Sequence, residues 1–269
     1  MNNELLLRRR NLLEKQGKKN IRAVCFEADG EQTVALTRVG SPLTITMQYS
    51  YDGVTWDAWD LAALPFGGSI KVYVRGVGNT RFAESSSNYN YFTFGTDAYV
   101  YVSGIVESLL DGSNEVLSHS LSYTFFNLFR LQKALRSVKD LKFEATTMKM
   151  YSYSNMFRSC TNLLVPPELP AKTLSLYCYD QMFWNCTSLL TAPELPATRL
   201  SAYCYRLMFK GCINLTSIRC RAEVQANSAT SEWLSGVAST GTFYGIGSYG
   251  WGPGASGIPS GWTFVQLTN

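Results

Sequence analysis

The chain is poor in the side chains that metal and acid–base sites use most. It has one histidine in 269 residues, His119, and its seven cysteines include no C-x2-C pair. Zinc sites use short paired spacings, and the familiar Ser-His-Asp and Cys-His sites need a histidine base. We therefore predict no metal, no cofactor and no catalytic residue, and we interpret His119 as a solvated loop side chain.

Long apolar runs are also missing, and charge is sparse. No stretch is long enough for a membrane span, so no membrane insertion is predicted. Charged residues make up 16%, and residues 1–22 hold seven of the 24 Lys and Arg against two Glu. The rest of the chain is near neutral, which predicts no nucleic-acid partner. Leu5-Leu6-Leu7 runs directly into three arginines, which predicts no signal peptide and no export by the ordinary secretory route.

Residues 1–20 are rich in helix formers, and Leu5 and Leu12 lie seven residues apart. This spacing predicts an N-terminal helix with an apolar stripe. The stripe could pack on the body of the chain, on a sister copy or on a larger assembly. We take packing on a larger assembly as our hypothesis, with packing on the body of the chain as an equal alternative, and we expect a homo-oligomer for which a trimer is one option.

Residues 21–104 contain about six short segments rich in β-branched and aromatic residues, separated by Gly, Pro and Asp turn signals. This pattern predicts a small antiparallel β-sandwich of Ig-like type. Tyr51-Asp52-Gly53 predicts a hairpin. Trp56 and Trp59, on or after that hairpin, are candidate contacts for the face of a sugar ring. A core role is the more ordinary interpretation of such aromatics.

A repeat dominates residues 105–220. Met156-Phe157-Arg158-Ser159-Cys160-Thr161-Asn162-Leu163 recurs 26 residues later from Met182 and again from Met208. A more degenerate copy precedes it at a step of 28 residues, as expected of a terminal unit. We predict stacked units in which Cys178–Phe183 forms one or two helical turns. The predicted repeat core is Met156, Phe157, Cys160, Leu163, Met182, Phe183, Cys186, Leu189, Met208, Phe209, Cys212 and Leu215.

Two sets of repeated residues allow alternative interpretations. Disulfides between Cys178 and Cys186, and between Cys204 and Cys212, are possible by count, but reduced core thiols are favoured. Glu168 and Glu194 recur together and superficially resemble a glycosidase carboxylate pair. Because they belong to the repeat signature, we interpret them as structural. A glycan-active enzyme is kept as a competing hypothesis.

The repeats resemble the BspA-type leucine-rich repeats and 26-residue surface-protein repeats of gut Bacteroidales and their phages. The resemblance rests on M-F-x-x-C-T-x-L followed by P-E-L-P-A-T and C-Y, and on a similar C-terminal stretch at Trp233–Phe243 and Gly257–Trp262. It implies a leucine-rich-repeat-type solenoid, with residues 221–269 as a C-terminal capping region. It also implies an adhesive, non-enzymatic role. A glycine-rich binding tip is expected within residues 245–261, where Tyr249 and Trp251 are candidate contacts.

These predictions combine into a mixed α+β protein with an N-terminal helix, a β-sandwich, a solenoid and a cap. The resemblance implies the function of a phage virion appendage, a tail or head fibre protein, whose N-terminal helix contacts other virion proteins and which attaches to a surface glycan or protein. A bacterial cell-surface or secreted adhesin is the alternative.

Overall fold

The computed structural model of the protein describes residues 21–41, 43–223, 228–247 and 251–268. These residues are β-strands, turns and one short 3-10 helix, Val106–Leu109. The strands are β1 Val24–Ala28, β2 Gln32–Val39, β3 Met47–Ser50, β4 Asp57–Trp59, β5 Leu64–Phe66, β6 Val72–Gly76, β7 Tyr89–Phe94, β8 Val100–Ile105, β9 Leu135–Lys142, β10 Ser217–Cys220, β11 Gly241–Gly245 and β12 Trp262–Gln266.

The strands form three sheets. The largest has the order β4-β3-β6-β1-β8-β9, and two three-stranded sheets have the orders β5-β2-β7 and β10-β11-β12. Phe26 of β1 contacts Phe92 of β7 at 5.1 Å between ring centroids, so the first two sheets share a core. β3 and β4 pair antiparallel, with Met47 opposite Trp59, which confirms the predicted hairpin. β9 is parallel to β8, so this sheet is mixed and extends beyond the predicted boundary at residue 104.

The predicted mixed α+β class is wrong. The described residues contain no α-helix, and their regular secondary structure is almost entirely β-strand. The leucine-rich-repeat-type solenoid is also wrong as a fold class, because none of the sheets is closed or continuous through the repeats. From residue 143 to residue 216 there is no regular strand, only turns and isolated bridges. The predicted N-terminal helix falls on residues 1–20, outside the described ranges.

The repeats consist of turn blocks instead of helices. These blocks cover residues 122–131, 150–159, 176–185, 202–211 and 228–236. The backbone φ is positive at every fourth residue, as at Tyr177 (55°), Gln181 (58°) and Asn185 (59°). An α-helix needs φ near −63° throughout, so these residues exclude the predicted helical turns at Cys178–Phe183.

Backbone hydrogen bonds in the turn blocks alternate between two directions. The Met182 N–H donates to the carbonyl of Tyr179 in its own block (3.2 Å), whereas the Phe183 N–H donates to the carbonyl of Met208 in the next (2.9 Å). The same alternation recurs in the block at 150–159. It provides partners for buried amides without helix or sheet, and it holds consecutive units directly against each other.

Side chains at equivalent positions stack from unit to unit. Phe157, Phe183 and Phe209 form a file with centroid separations of 5.5 and 5.6 Å. All twelve residues of the predicted repeat core are fully buried. Burying a large apolar side chain contributes about 1.5–3 kcal/mol, so files of this kind are the main source of stability in the repeats.

The cysteines are part of this interior. All seven are free and buried, in agreement with the reduced-thiol interpretation. Three of them have the same role, because each thiol donates a hydrogen bond of 3.0 Å to a phenylalanine carbonyl of the preceding unit. The pairs are Cys160 with Phe129, Cys186 with Phe157, and Cys212 with Phe183.

Candidate ligand-binding cleft

The candidate residue Trp56 lies in a cleft of about 390 Å³ beside the β3–β4 hairpin. Ser50 and Asp52 shape the hairpin loop: the Ser50 Oγ accepts the Gly53 N–H (2.8 Å), and the Asp52 Oδ1 accepts the Thr55 N–H (2.7 Å). These bonds hold the loop. Burial raises the pKa of Asp52, but the hydrogen bonds that its carboxylate accepts from Thr55, Val54 and Ser50 outweigh this effect and keep the pKa below its usual range. The loop thereby presents Trp56, which is half-buried, at the edge of the cleft.

Two arginines line the cleft with Trp56. The Arg75 guanidinium lies 3.9 Å from the centroid of the Trp56 ring, and its Nε donates to the Gln48 side chain (2.9 Å). Partial burial lowers the pKa of Arg75, although the charge of Asp111 acts in the opposite direction. A cation in this position is attracted by the negative face of the indole. The contact therefore fixes the orientation of the ring.

Arg22 also lines the cleft and is held by two residues that follow the first 104 residues of the chain. It forms a two-bond ion pair with Glu144 (2.8 and 2.7 Å) and donates to the Asn114 carbonyl (2.9 Å). The bond to Glu144 raises the pKa of Arg22. Its Nε is buried and has no hydrogen-bond partner among the described residues. Since both halves of the protein contribute to this wall, the cleft depends on their relative position.

Glycine keeps the cleft open. A Cβ at Gly112 would lie 2.4 Å from the Arg75 Cδ, and one at Gly53 would lie 2.3 Å from the Ile21 Cδ1. Gly53 also has a φ of +72°, which disfavours other residues. A side chain at either position would displace a residue that lines the cleft.

Two of the other candidate contacts, Trp59 and Trp251, are buried. Trp59 is 5% exposed, stacks on Phe92 at 6.4 Å and donates its indole N–H to the Ala62 carbonyl. Trp251 is 6% exposed and stacks on Trp233 at 5.5 Å. In both cases the ordinary core role applies, which leaves little surface for the predicted sugar contact at Trp59 or for the predicted binding-tip contact at Trp251. Tyr249 lies outside the described residues.

His119 is not the solvated loop residue that we predicted, since it is 2% exposed. Its Nε2 lies 3.2 Å from the Tyr153 hydroxyl and 3.7 Å from a Glu107 carboxylate oxygen. Tyr153 donates to that oxygen, and the backbone N–H groups of Glu144 and Ala145 also donate to Glu107 (2.8 and 3.3 Å). Burial, followed by the charge of Glu107, raises the pKa of Tyr153 well above its usual range.

This buried cluster joins the first sheet to the repeats and is closed to solvent, because the Glu107, His119 and Tyr153 side chains have almost no exposed surface. The repeat pattern of the sequence does not locate it, because the 28-residue step aligns His119 with Thr147, which is exposed. In the structure Ser118 bridges Thr147, which bridges Thr173, so His119 occupies the same register as Met148 and Leu174, which are buried.

The repeated carboxylates are exposed. Glu194 is paired with Arg221, and Glu168 lies at the equivalent position one unit earlier. Neither lines the Trp56 cleft. Among the described residues there is no cluster of His, Cys, Asp or Glu that could hold a metal ion. No helix of sufficient length and apolarity to cross a membrane is found in those residues.

No protein-family model matches the chain, and no significant match is found among the curated proteins or the solved structures.

Proposed function

We propose that the protein is a non-enzymatic attachment protein of a virion appendage, and that it binds a surface glycan or protein through the Trp56 cleft. The observation that carries the proposal is the half-buried Trp56 ring, held by Arg75 at the edge of an open cleft. Aromatic rings with adjacent polar groups are suited to sugars, because the ring packs against C–H groups while the polar groups bind hydroxyls.

The cysteines support the virion assignment over the alternative of an exported bacterial adhesin. Stable disulfides are typical of proteins that fold in oxidising compartments, whereas here the seven buried thiols are all free. Mass spectrometry of purified virions and of cell envelopes tests the assignment. Detection in the virions is expected, and detection in the envelopes alone would reject it.

Binding is tested by screening the full chain on an array of bacterial surface glycans and by titrating the glycans that it retains. Trp56→Ala should weaken binding at least tenfold, which corresponds to about 1.4 kcal/mol. Tyr99→Ala is the matched control, since Tyr99 is an exposed aromatic that lies under Arg136 at 4.7 Å. Equal affinities for the two variants would remove the cleft from the proposal.

A further inference from the structure

Four partly exposed tyrosines form a ladder along the turn blocks. Tyr123, Tyr151, Tyr177 and Tyr203 stack with centroid separations of 4.6, 4.7 and 4.7 Å and interplanar angles of 18°, 15° and 8°. Each inner ring is covered on both faces by its neighbours. The ladder therefore presents ring edges to solvent, at a regular spacing, along the direction in which the units stack.

Cations lie beside this ladder. The Arg206 guanidinium lies 5.2 Å from the Tyr177 centroid. The Arg158 guanidinium covers the Trp184 ring at 3.9 Å, and the Lys210 ammonium lies 5.9 Å from that ring. All of these side chains are partly exposed. Together with the ladder they form a surface that we call the tyrosine face.

Hydrogen bonds connect the tyrosine face into one surface. The Arg158 guanidinium donates to the side-chain Oε1 of Gln181 (3.0 Å), and the side-chain Nε2 of Gln181 donates to the Asp180 carboxylate (2.9 Å). Asp180 accepts two bonds from Arg206 (2.9 and 3.0 Å). Arg158, Gln181, Asp180 and Arg206 therefore form a continuous chain of contacts across three units.

Positive charge exceeds negative charge on this face. Asp180 offsets Arg206, but its side chain is 2% exposed and offers almost no negative surface. Lys210 pairs with Glu232 at the far end (2.6 Å). Arg158 has no ion pair in the described residues, and its pKa is lowered by burial and by the nearby charge of Arg130. An incoming anion would offset this repulsion.

We infer that the tyrosine face binds a linear acidic polysaccharide laid along the stack. The regular hydroxyl edges can bind sugar hydroxyls. Arg158, which has no ion pair in the described residues, can bind a carboxylate, and Lys210 can bind one in place of Glu232. A single-stranded nucleic acid fits this face less well, because bases bind to open aromatic faces and the inner rings here are covered on both sides. The inference extends the proposed glycan binding to a second surface, apart from the Trp56 cleft.

The test is a titration of the full chain with polygalacturonate, with neutral dextran and single-stranded DNA as the other probes. The double variant Arg158→Gln with Lys210→Gln should bind polygalacturonate at least tenfold more weakly. Lys139→Gln with Lys142→Gln is the matched control, because it removes the same charge from exposed positions of β9, and it should bind as the parent does. Affinity should also fall with added salt.

A second variant guards against a folding defect. Tyr177→Phe keeps the ring stack and removes one hydroxyl, and we expect roughly threefold weaker binding because one hydrogen bond to the polysaccharide is lost. The inference is overturned if polygalacturonate does not bind, if both double variants lose affinity equally, or if DNA binds more tightly than polygalacturonate.

Failure of this inference and of the proposed function are distinguishable. Trp56→Ala should leave polygalacturonate binding unchanged. If the protein binds polygalacturonate through the tyrosine face, and the Trp56→Ala variant still binds every array glycan that the parent binds, the proposed cleft is rejected and the tyrosine face is retained as a binding surface.

Discussion

The buried thiols make the stability of the protein sensitive to alkaline pH. Burial raises the pKa to about 12 for Cys25, Cys160, Cys178, Cys212 and Cys220. Burial raises the pKa of the other two cysteines as well. The folded protein therefore keeps these thiols protonated at pH values where the unfolded chain ionises them.

The sign and size follow from proton linkage. The stabilisation is fully present below the unfolded pKa of 9.0, and it is lost as the pH rises from there toward 12. Between pH 8 and pH 10 each thiol removes about 1.4 kcal/mol from the free energy of unfolding. The five thiols whose pKa is about 12 together remove about 7 kcal/mol, which is comparable with the whole stability of an ordinary domain.

Urea unfolding at pH 8, 9 and 10 measures this dependence, and the triple variant Cys160→Ser, Cys186→Ser and Cys212→Ser isolates the thiols. A serine hydroxyl can keep each hydrogen bond to the preceding unit, but it does not ionise in this range. The triple variant should lose about 2.7 kcal/mol less than the parent between pH 8 and pH 10 from Cys160 and Cys212 alone, and Cys186 acts in the same direction. Tyrosine ionisation affects both proteins and cancels in the difference.

Cys160→Ser alone provides the same test if the triple variant does not fold, with an expected difference of about 1.4 kcal/mol. Thiol-reactive reagents supply a separate readout: at pH 8 the native protein should react slowly, and all seven thiols should react after denaturation. Parallel pH profiles for parent and serine variants would refute the reasoning, as would fast labelling of the native protein.

Three further substitutions and one control test the interior by urea unfolding at pH 7. Tyr153→Phe removes the hydrogen bond to the buried Glu107 carboxylate, and it should cost about 1–3 kcal/mol. Tyr179→Phe is its control, because the Tyr179 hydroxyl is buried without a partner among the described residues, so a comparable loss there would contradict the explanation. Gly211→Ala, at a φ of +73°, should lower the free energy of unfolding by more than about 1 kcal/mol. Ser159→Gly, at a φ of 60°, should raise it by up to about 1 kcal/mol, and changes of the same sign at these two positions would show that backbone strain is not the cause.

The 26-residue period predicts which side chains share a file, since equivalent residues must meet when units stack. Phe157, Phe183 and Phe209 show this directly. The period does not predict the local backbone. Cys178 and Met182 lie four residues apart, and a turn that repeats every four residues matches that spacing as well as an α-helix of 3.6 residues per turn does. The positive φ values distinguish the turn from the α-helix, and tyrosine or glutamine in a sequence does not predict a positive φ.

The candidate site was predicted only in part. Trp56 and Trp59 are three residues apart in one hairpin, yet one lines a cleft and the other packs in the core. Local pattern cannot separate them, because an indole has an apolar body that suits either place. Arg22 and Arg75 reach Trp56 from separate segments of the chain. Their position beside Trp56 depends on tertiary packing, which the pattern of a single sequence does not predict.

The alternating hydrogen bonds of the turn blocks make the length of the protein adjustable in fixed steps. Since every internal unit offers the same donors to one neighbour and the same acceptors to the other, a whole unit can be deleted or duplicated without creating a new kind of interface. Unequal recombination between copies would then lengthen or shorten the ladder by single tyrosines. The length of the tyrosine face and the number of tyrosines in its ladder would therefore change over generations, while the residues before and after the repeats stay the same.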